Sequence, residues 1–196
     1  MELIMGCLLL LCFYCLSREA AAVSARMSQK KVIVVDCGHG GIDPGMIGID
    51  GLKEKEFNLA IGMKLKKALE DYGYQVVMTR ETDTGLYDED SQNKKAQDMQ
   101  KRILLIQKVD PVLTVSIHQN SYTTEDIKGA QVFYYGQSEN GKRLADVLQE
   151  HLISEVDPQN TRVAKANESY YLLKKTPTPT VIVECGFLSN QSEADL

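Results

Sequence analysis

With 196 residues, 43% of them hydrophobic and 25% charged, the chain is long enough for one well-packed globular domain and too short for two ordinary ones. Its net charge of -5 excludes the global basic field on which nucleic-acid binding depends, so no nucleic-acid partner is expected. Lys64, Lys66 and Lys67 read as an ordinary solvated helix face.

From Leu3 to Leu16 the residues are almost all apolar and Arg18 ends the run, which is short for a permanent membrane span and suits the core of a signal peptide. The small residues of Ala20-Ala21-Ala22-Val23-Ser24-Ala25 resemble a signal peptidase site. Residues 1–25 are therefore expected to form a signal peptide or an N-terminal membrane anchor, residues 26–30 a linker, and residues 31–196 the folded domain of an exported protein. Membrane contact is expected only through this segment, if it stays uncleaved. Met1-Glu2 lacks the usual positive charge, and the competing reading is a buried apolar helix of the domain. Cys7, Cys12 and Cys15 fall in this leader, Cys12 and Cys15 without the small residues that precede a lipid-modified cysteine, which leaves Cys37 and Cys185 to the domain.

Lys31-Val32-Ile33-Val34-Val35 predicts a buried strand that ends in the glycine-rich Asp36-Cys37-Gly38-His39-Gly40-Gly41. Phe57, Ala60, Ile61, Leu65, Ala68, Leu69 and Tyr72, with the stem of Lys64, recur at helical spacing, and Gly73 is placed to end that helix. A second strand follows at Gln75 to Thr79, then a polar surface loop from Arg80 to Gln92. Ala96, Met99, Ile103 and Ile106 mark an amphipathic helix that Asp110-Pro111 stops. Strands are predicted at Val112 to Ile117 and Ala130 to Tyr135, and Leu144, Val147, Leu148 and Leu152 give a helix face with Ser138 as N-cap. A short strand is placed around Tyr170 to Leu173 and the last at Thr180 to Val183. This alternation predicts a single α/β domain with a central, mostly parallel or mixed sheet of about six strands, flanked by helices on both faces.

In such sheets ligands gather beyond the carboxyl ends of the strands, which here carry Asp36 to Gly41, His118 to Ser121 and Glu184 to Asn190. His39 and His118 each follow a strand and are able to converge on one point. Glu54, ahead of the Phe57 helix, supplies the carboxylate that completes a three-ligand zinc site with one open position. Zinc acidifies coordinated water and polarises a carbonyl, as hydrolysis of a stable amide requires. Glu184, after the apolar Val181-Ile182-Val183, is the candidate for moving the proton. Spacing alone matches no compact metal motif, and a strand-end histidine is more often a hydrogen-bonded structural residue.

The motifs in order say more. Asp36-Cys37-Gly38-His39-Gly40-Gly41 with Asp43-Pro44-Gly45 and Gly48, then Lys53-Glu54-Lys55, Ser116-Ile117-His118 and Val183-Glu184-Cys185-Gly186-Phe187-Leu188-Ser189-Asn190, resemble the four motifs of the zinc-dependent N-acetylmuramoyl-L-alanine amidases. The resemblance runs from about Lys31 to Leu196. It implies that His39, Glu54 and His118 bind zinc and that Glu184 is catalytic. The substrate it implies is peptidoglycan, cut between the lactyl group of N-acetylmuramic acid and L-alanine. Met78 to Thr84, Gly129 to Gly136 and the short leader are most similar to the sporulation amidases that prepare spore cortex.

Two features depart from that family. Cys37 and Cys185 stand where proline and a small or β-branched residue are commoner; a thiolate ligand to zinc is one reading of Cys37, an inert buried thiol the other. The family also continues past Ser189-Asn190 into a final helix, so the chain is expected to be truncated there. Other polar residues are weaker candidates. Asp36 either orients His39 or caps its loop. Asn120, Arg80 and Arg102 either meet the substrate or, in the case of the arginines, form surface ion pairs. His151 reads as solvated, and the Gly38 to Gly41 loop lacks the lysine and spacing of a nucleotide-binding loop. No serine or cysteine sits in a sequence context that signals a triad. A zinc peptidase on a related scaffold and a non-catalytic wall-binding module are the alternatives in function.

Overall fold

The computed structural model describes residues 31–195 together with Arg18. The expected leader and linker otherwise lie outside the described residues.

In chain order the elements are β1 (Val32–Cys37), α1 (Glu54–Asp71), β2 (Gln75–Met78), α2 (Lys94–Val109), β3 (Leu113–Asn120), β4 (Gln131–Tyr134), α3 (Glu139–His151), β5 (Lys165–Ala166), α4 (Tyr171–Lys175), β6 (Thr180–Phe187) and α5 (Gln191–Ala194). They build one six-stranded sheet in the order β2-β1-β3-β6-β4-β5. All neighbours are parallel except β4 with β6, so the expected mostly parallel, mixed α/β sheet is what forms.

The β-branched run of β1 is buried along nearly its whole length because both faces of the sheet are covered. Side chains alternate across a strand. Val35 and Cys37 thus join Val115, Ile117, Val181 and Val183 in a core that Ile61, Leu65 and Leu69 of α1 and Leu144 and Leu148 of α3 complete. Val34 faces the other way, onto Ile103 and Ile106 of α2 and Leu172 of α4. Helices therefore lie on both faces, as expected. Ser138 caps α3 by accepting from the Gly141 amide, and Gly73, at a φ of 87°, follows α1.

Three local expectations are corrected. The innermost residues of α1 are Glu54, Lys55, Asn58 and Gly62, while Ala60, Lys64, Ala68 and Tyr72 face solvent. The reason is close packing: a Cβ on Gly62 would lie 2.3 Å from the Cys37 sulfur, so only a glycine admits the helix that near to β1. The segment Tyr170 to Leu173 is not a strand: Asn167 accepts from the amides of Ser169 and Tyr170 in a turn, and the chain passes from that turn into α4; the short strand is β5. Finally, β3 and β6 continue beyond their apolar runs, so His118 and Glu184 lie within strands and pair in register.

A candidate metal centre at the ends of the parallel strands

β1 ends and the chain turns sharply. His39 takes the left-handed conformation at a φ of 62°, followed by Gly40 at 132° and Gly41 at 58°. A non-glycine residue pays for this geometry, which persists only where its surroundings impose it. The turn aims the His39 ring at His118, and the two rings meet edge to face with centroids 5.0 Å apart.

Glu54, at the first position of α1, reaches between them from below with a side chain only 2% exposed. Its Oε2 lies 3.1 Å from His39 Nε2 and its Oε1 lies 2.9 Å from His118 Nδ1. Three more donors hold the carboxylate: the Met46 amide on Oε2 at 2.8 Å, and on Oε1 the Gln119 amide and the Asn58 side chain, each at 3.1 Å. Burial pushes the Glu54 carboxyl up, but hydrogen bonds and charge from His118 and His39 outweigh it and hold the pKa well below the usual carboxylate range. Burial likewise pulls His39 down, and Glu54 and Asp43 more than reverse that, leaving it raised.

Glycines make this closeness possible. A Cβ on Gly38 would sit 2.4 Å from Cε1 and Nε2 of His118, and one on Gly45 would sit 2.5 Å from Glu54 Oε2. The donor atoms of His39, Glu54 and His118 all lie within 4.8 Å of one another. Two imidazole nitrogens and one carboxylate oxygen form the donor set of a three-ligand catalytic metal site, so the residues fit a divalent ion such as zinc.

Glu184 stands on the neighbouring strand, level with His118. Its Oε2 is buried without a hydrogen-bond partner among the described residues. Burial raises its pKa, with repulsion from Glu54 adding to that and the attraction of His118 and His39 opposing it. All four residues line one cavity of about 530 Å³, whose walls include Asn120, Tyr170 and Tyr171.

The structure also redistributes the remaining candidates. Asp36 does not touch His39; it pairs with Arg102 and accepts from Ser116, and the partner of His39 Nδ1 is Asp43, at 2.9 Å. Sequence reasoning quoted Asp43 only as part of a motif, although a carboxylate four residues after a candidate ligand is the signal that finds it. Arg80 and Arg102 are not surface residues: they are 4% and 2% exposed and hold main-chain carbonyls. Cys37 and Cys185 are free thiols whose pKa burial pushes up to about 11 and about 12, and neither belongs to the ligand cluster. Cys37 faces Gly62, which accounts for its small size. Asn120 lines the cavity, and His151 is exposed as expected.

Comparison with known proteins agrees with this geometry. Residues 33–196 match the Amidase_3 family, N-acetylmuramoyl-L-alanine amidase. The germination-specific N-acetylmuramoyl-L-alanine amidase of Bacillus subtilis (strain 168) is 37% identical over 169 residues, 85% of this chain and 70% of that protein. The CwlD amidase of Clostridioides difficile, solved in complex with the GerS lipoprotein, superimposes with a TM-score of 0.82 at 39% identity, covering 85% of this chain and 87% of that one. The amidase AmiC2 of Nostoc punctiforme gives 0.73 at 32% identity, with 86% of each chain covered. The chain belongs to the N-acetylmuramoyl-L-alanine amidase family, hydrolases that act on an amide bond of peptidoglycan.

Proposed function

We propose that the ion held by His39, Glu54 and His118 is zinc, that Glu184 moves the proton, and that the bond cut joins the lactyl group of N-acetylmuramic acid to L-alanine. The observation that carries this reading is the facing of three converged ligands by a buried carboxylate oxygen without a partner, in one cavity. Zinc bound there would polarise the amide carbonyl and acidify water. The chain's own residues do the rest. Asp43 accepts from His39 Nδ1 and so leaves Nε2 as the donor atom facing Glu54. Glu184 takes a proton from the attacking water at its free oxygen and delivers it to the departing alanine nitrogen, a role its raised pKa suits. No covalent enzyme intermediate is required.

The substrate lies outside the cytoplasmic membrane, and the apolar run of residues 3–16 followed by small residues supports export through that segment, cleaved or kept as an anchor. Among the described residues no helix is long and apolar enough to cross a membrane. The likeness to a germination-specific amidase over 85% of the chain supports a place in spore-cortex remodelling.

Replacing Glu184 by glutamine tests the mechanism. Zinc content is expected to stay at the wild-type level while turnover of purified peptidoglycan falls by about 10²–10⁴-fold, the usual worth of a general acid–base. The products to follow are new N-terminal alanine and free lactyl carboxyl groups. Substantial residual turnover would remove Glu184 from its role, and cleavage elsewhere in the stem peptide would point to a peptidase.

A further inference from the structure

The left-handed turn at His39 needs something to impose it, and the main chain around it shows what does. Arg80, just past β2, donates from Nε to the Cys37 carbonyl at 3.0 Å and from Nη2 to the Gly38 carbonyl at 3.0 Å. The same Nη2 donates to the Lys55 carbonyl at 2.7 Å, and Nη1 donates to Thr82 at 3.1 Å. Among the described residues no carboxylate lies within ion-pair distance of it. A guanidinium buried to 4% exposure and hydrogen-bonded only to carbonyls is an expensive arrangement: desolvation lowers its pKa, Arg102 adds to that, and the attraction of Asp83 and Asp36 offsets it only in part.

The carbonyls it holds are the informative part. The Gly38 carbonyl belongs to the peptide plane that also carries the His39 nitrogen, so fixing it fixes the plane from which His39 turns. The Lys55 carbonyl lies one residue beyond Glu54 in the first turn of α1. One nitrogen of one guanidinium thereby ties the backbone of one ligand to that of another. Asn58 reinforces the tie by donating to both the Gly38 carbonyl and Glu54 Oε1. Gly40 closes over the guanidinium: a Cβ there would lie 2.9 Å from Arg80 Cδ and Nε. Four of its five N–H groups are committed inward, and Arg80 does not line the cavity.

We propose that Arg80 is a positioning residue of the metal centre, its guanidinium setting the His39 backbone against that of Glu54 so that the two ligands are prealigned for the ion. This rests on the reading of His39, Glu54 and His118 as the ligands. It predicts that Arg80 acts on metal affinity beyond any contribution to folding, because ligands that must first be ordered bind more weakly.

The test uses the full chain and compares the wild type with Arg80→Met, which keeps the volume, and Arg80→Lys, which keeps the charge without the fork. Leu148→Ala on α3 serves as a control that removes core packing shared by α1 and α3 but touches no ligand. Zinc affinity is read by competition with a chromophoric chelator at a temperature where circular dichroism shows each variant folded, and the visible spectrum of the cobalt-substituted protein reports ligand geometry. Arg80→Met is expected to weaken zinc binding about 10–100-fold and to change the cobalt spectrum, with Arg80→Lys intermediate, while Leu148→Ala lowers Tm and leaves both unchanged. Zinc affinity of Arg80→Met within about twofold of wild type, or no weaker than in Leu148→Ala, would overturn the proposal. Should Arg80→Met fail to fold, Arg80→Lys is judged by the same criteria. Zinc content in His39→Ala equal to that of the wild type would overturn the ligand assignment itself, a failure distinct from that of the clamp.

Discussion

Arg102 and Asp36 form a buried ion pair directly beneath the metal centre, and removing one partner is a demanding test of the electrostatics. Both side chains are 2% exposed and 2.6 Å apart. Arg102 also donates to the carbonyls of Cys37 and His39, at 2.7 and 2.6 Å, and pairs with Asp98 at 2.6 Å. Substituting Arg102 with methionine leaves Asp36 buried with Ser116 as its remaining side-chain donor. Stranding one member of a buried pair costs about 3–5 kcal/mol.

An independent figure comes from the Asp36 pKa, which is lowered from 3.8 to about 2: burial, the largest single influence, raises it, and Arg102, Ser116 and His118 together more than reverse that. At 1.36 kcal/mol per unit, that net depression is worth about 2 kcal/mol, below the first figure because it is already reduced by the burial penalty that stays with Asp36 when Arg102 is removed. For a domain of this size such a loss lowers Tm by about 6–20 °C. The sign of the pH dependence follows from the direction of each shift. In the wild type the Asp36 pKa is depressed, so its contribution is fully present above 3.8 and is lost as pH falls through about 2. In Arg102→Met, burial without the cation raises that pKa, the folded state prefers the protonated acid, and the penalty shrinks as pH falls from 7 towards 5. Urea unfolding of both proteins in EDTA, followed by circular dichroism at pH 7 and pH 5, measures the difference. A second variant, Arg102→Met with Asp36→Asn, is expected to recover part of the loss. A cost below about 1 kcal/mol at pH 7 would refute the reasoning, as would a larger cost that neither acid nor the second substitution reduces.

Two further outcomes follow from close contacts at the same site. Gly38→Ala places a methyl group 2.4 Å from the His118 ring and is expected to displace it, with at least about a tenfold loss of zinc affinity in the chelator competition; an unaltered affinity would mean that His118 is not held where the structure has it. The thiols of Cys37 and Cys185, raised to about 11 and about 12 by burial, are expected to resist alkylation at pH 8 in the folded protein and to react in urea. Peptide mapping by mass spectrometry reads both, with the buried Cys37 the more resistant and the half-buried Cys185 the less; native labelling of Cys37 as fast as in urea would contradict its burial.

What the sequence showed and what it concealed divide along a physical line. The sheet was legible because strands buried on both faces read as continuous β-branched runs, as in β1 and β6; His39, His118 and Glu184 were legible because they stand where such runs give way to polar residues, and Glu54 because it opens the helix after the first of those loops. The inner face of α1 was legible only in part: Ile61, Leu65 and Leu69 pack on the core as their periodicity predicts, whereas the helix approaches β1 most closely through Asn58 and Gly62, which carry no hydrophobic signal. The tyrosines of residues 170 and 171 favour a strand locally, yet a turn held by the side chain of Asn167 leads into a helix there.

The two arginines were the hardest to place, for a reason that reaches into the chemistry. A side chain that pairs with a carboxylate leaves a trace in the sequence as a complementary residue, and Asp98 four positions before Arg102 is one. Arg80 is answered by carbonyls, which every residue has, so nothing in the composition of the chain betrays its partners. That arrangement fits a metal centre. A carboxylate beside Arg80 would be another anion competing with Glu54 and Glu184 for the positive charge of the ion and the histidines, whereas carbonyls accept from the guanidinium and add no net charge. The buried cation thereby orders the His39 turn without placing a further negative group next to Glu184, whose raised pKa depends on burial and on the charge of Glu54.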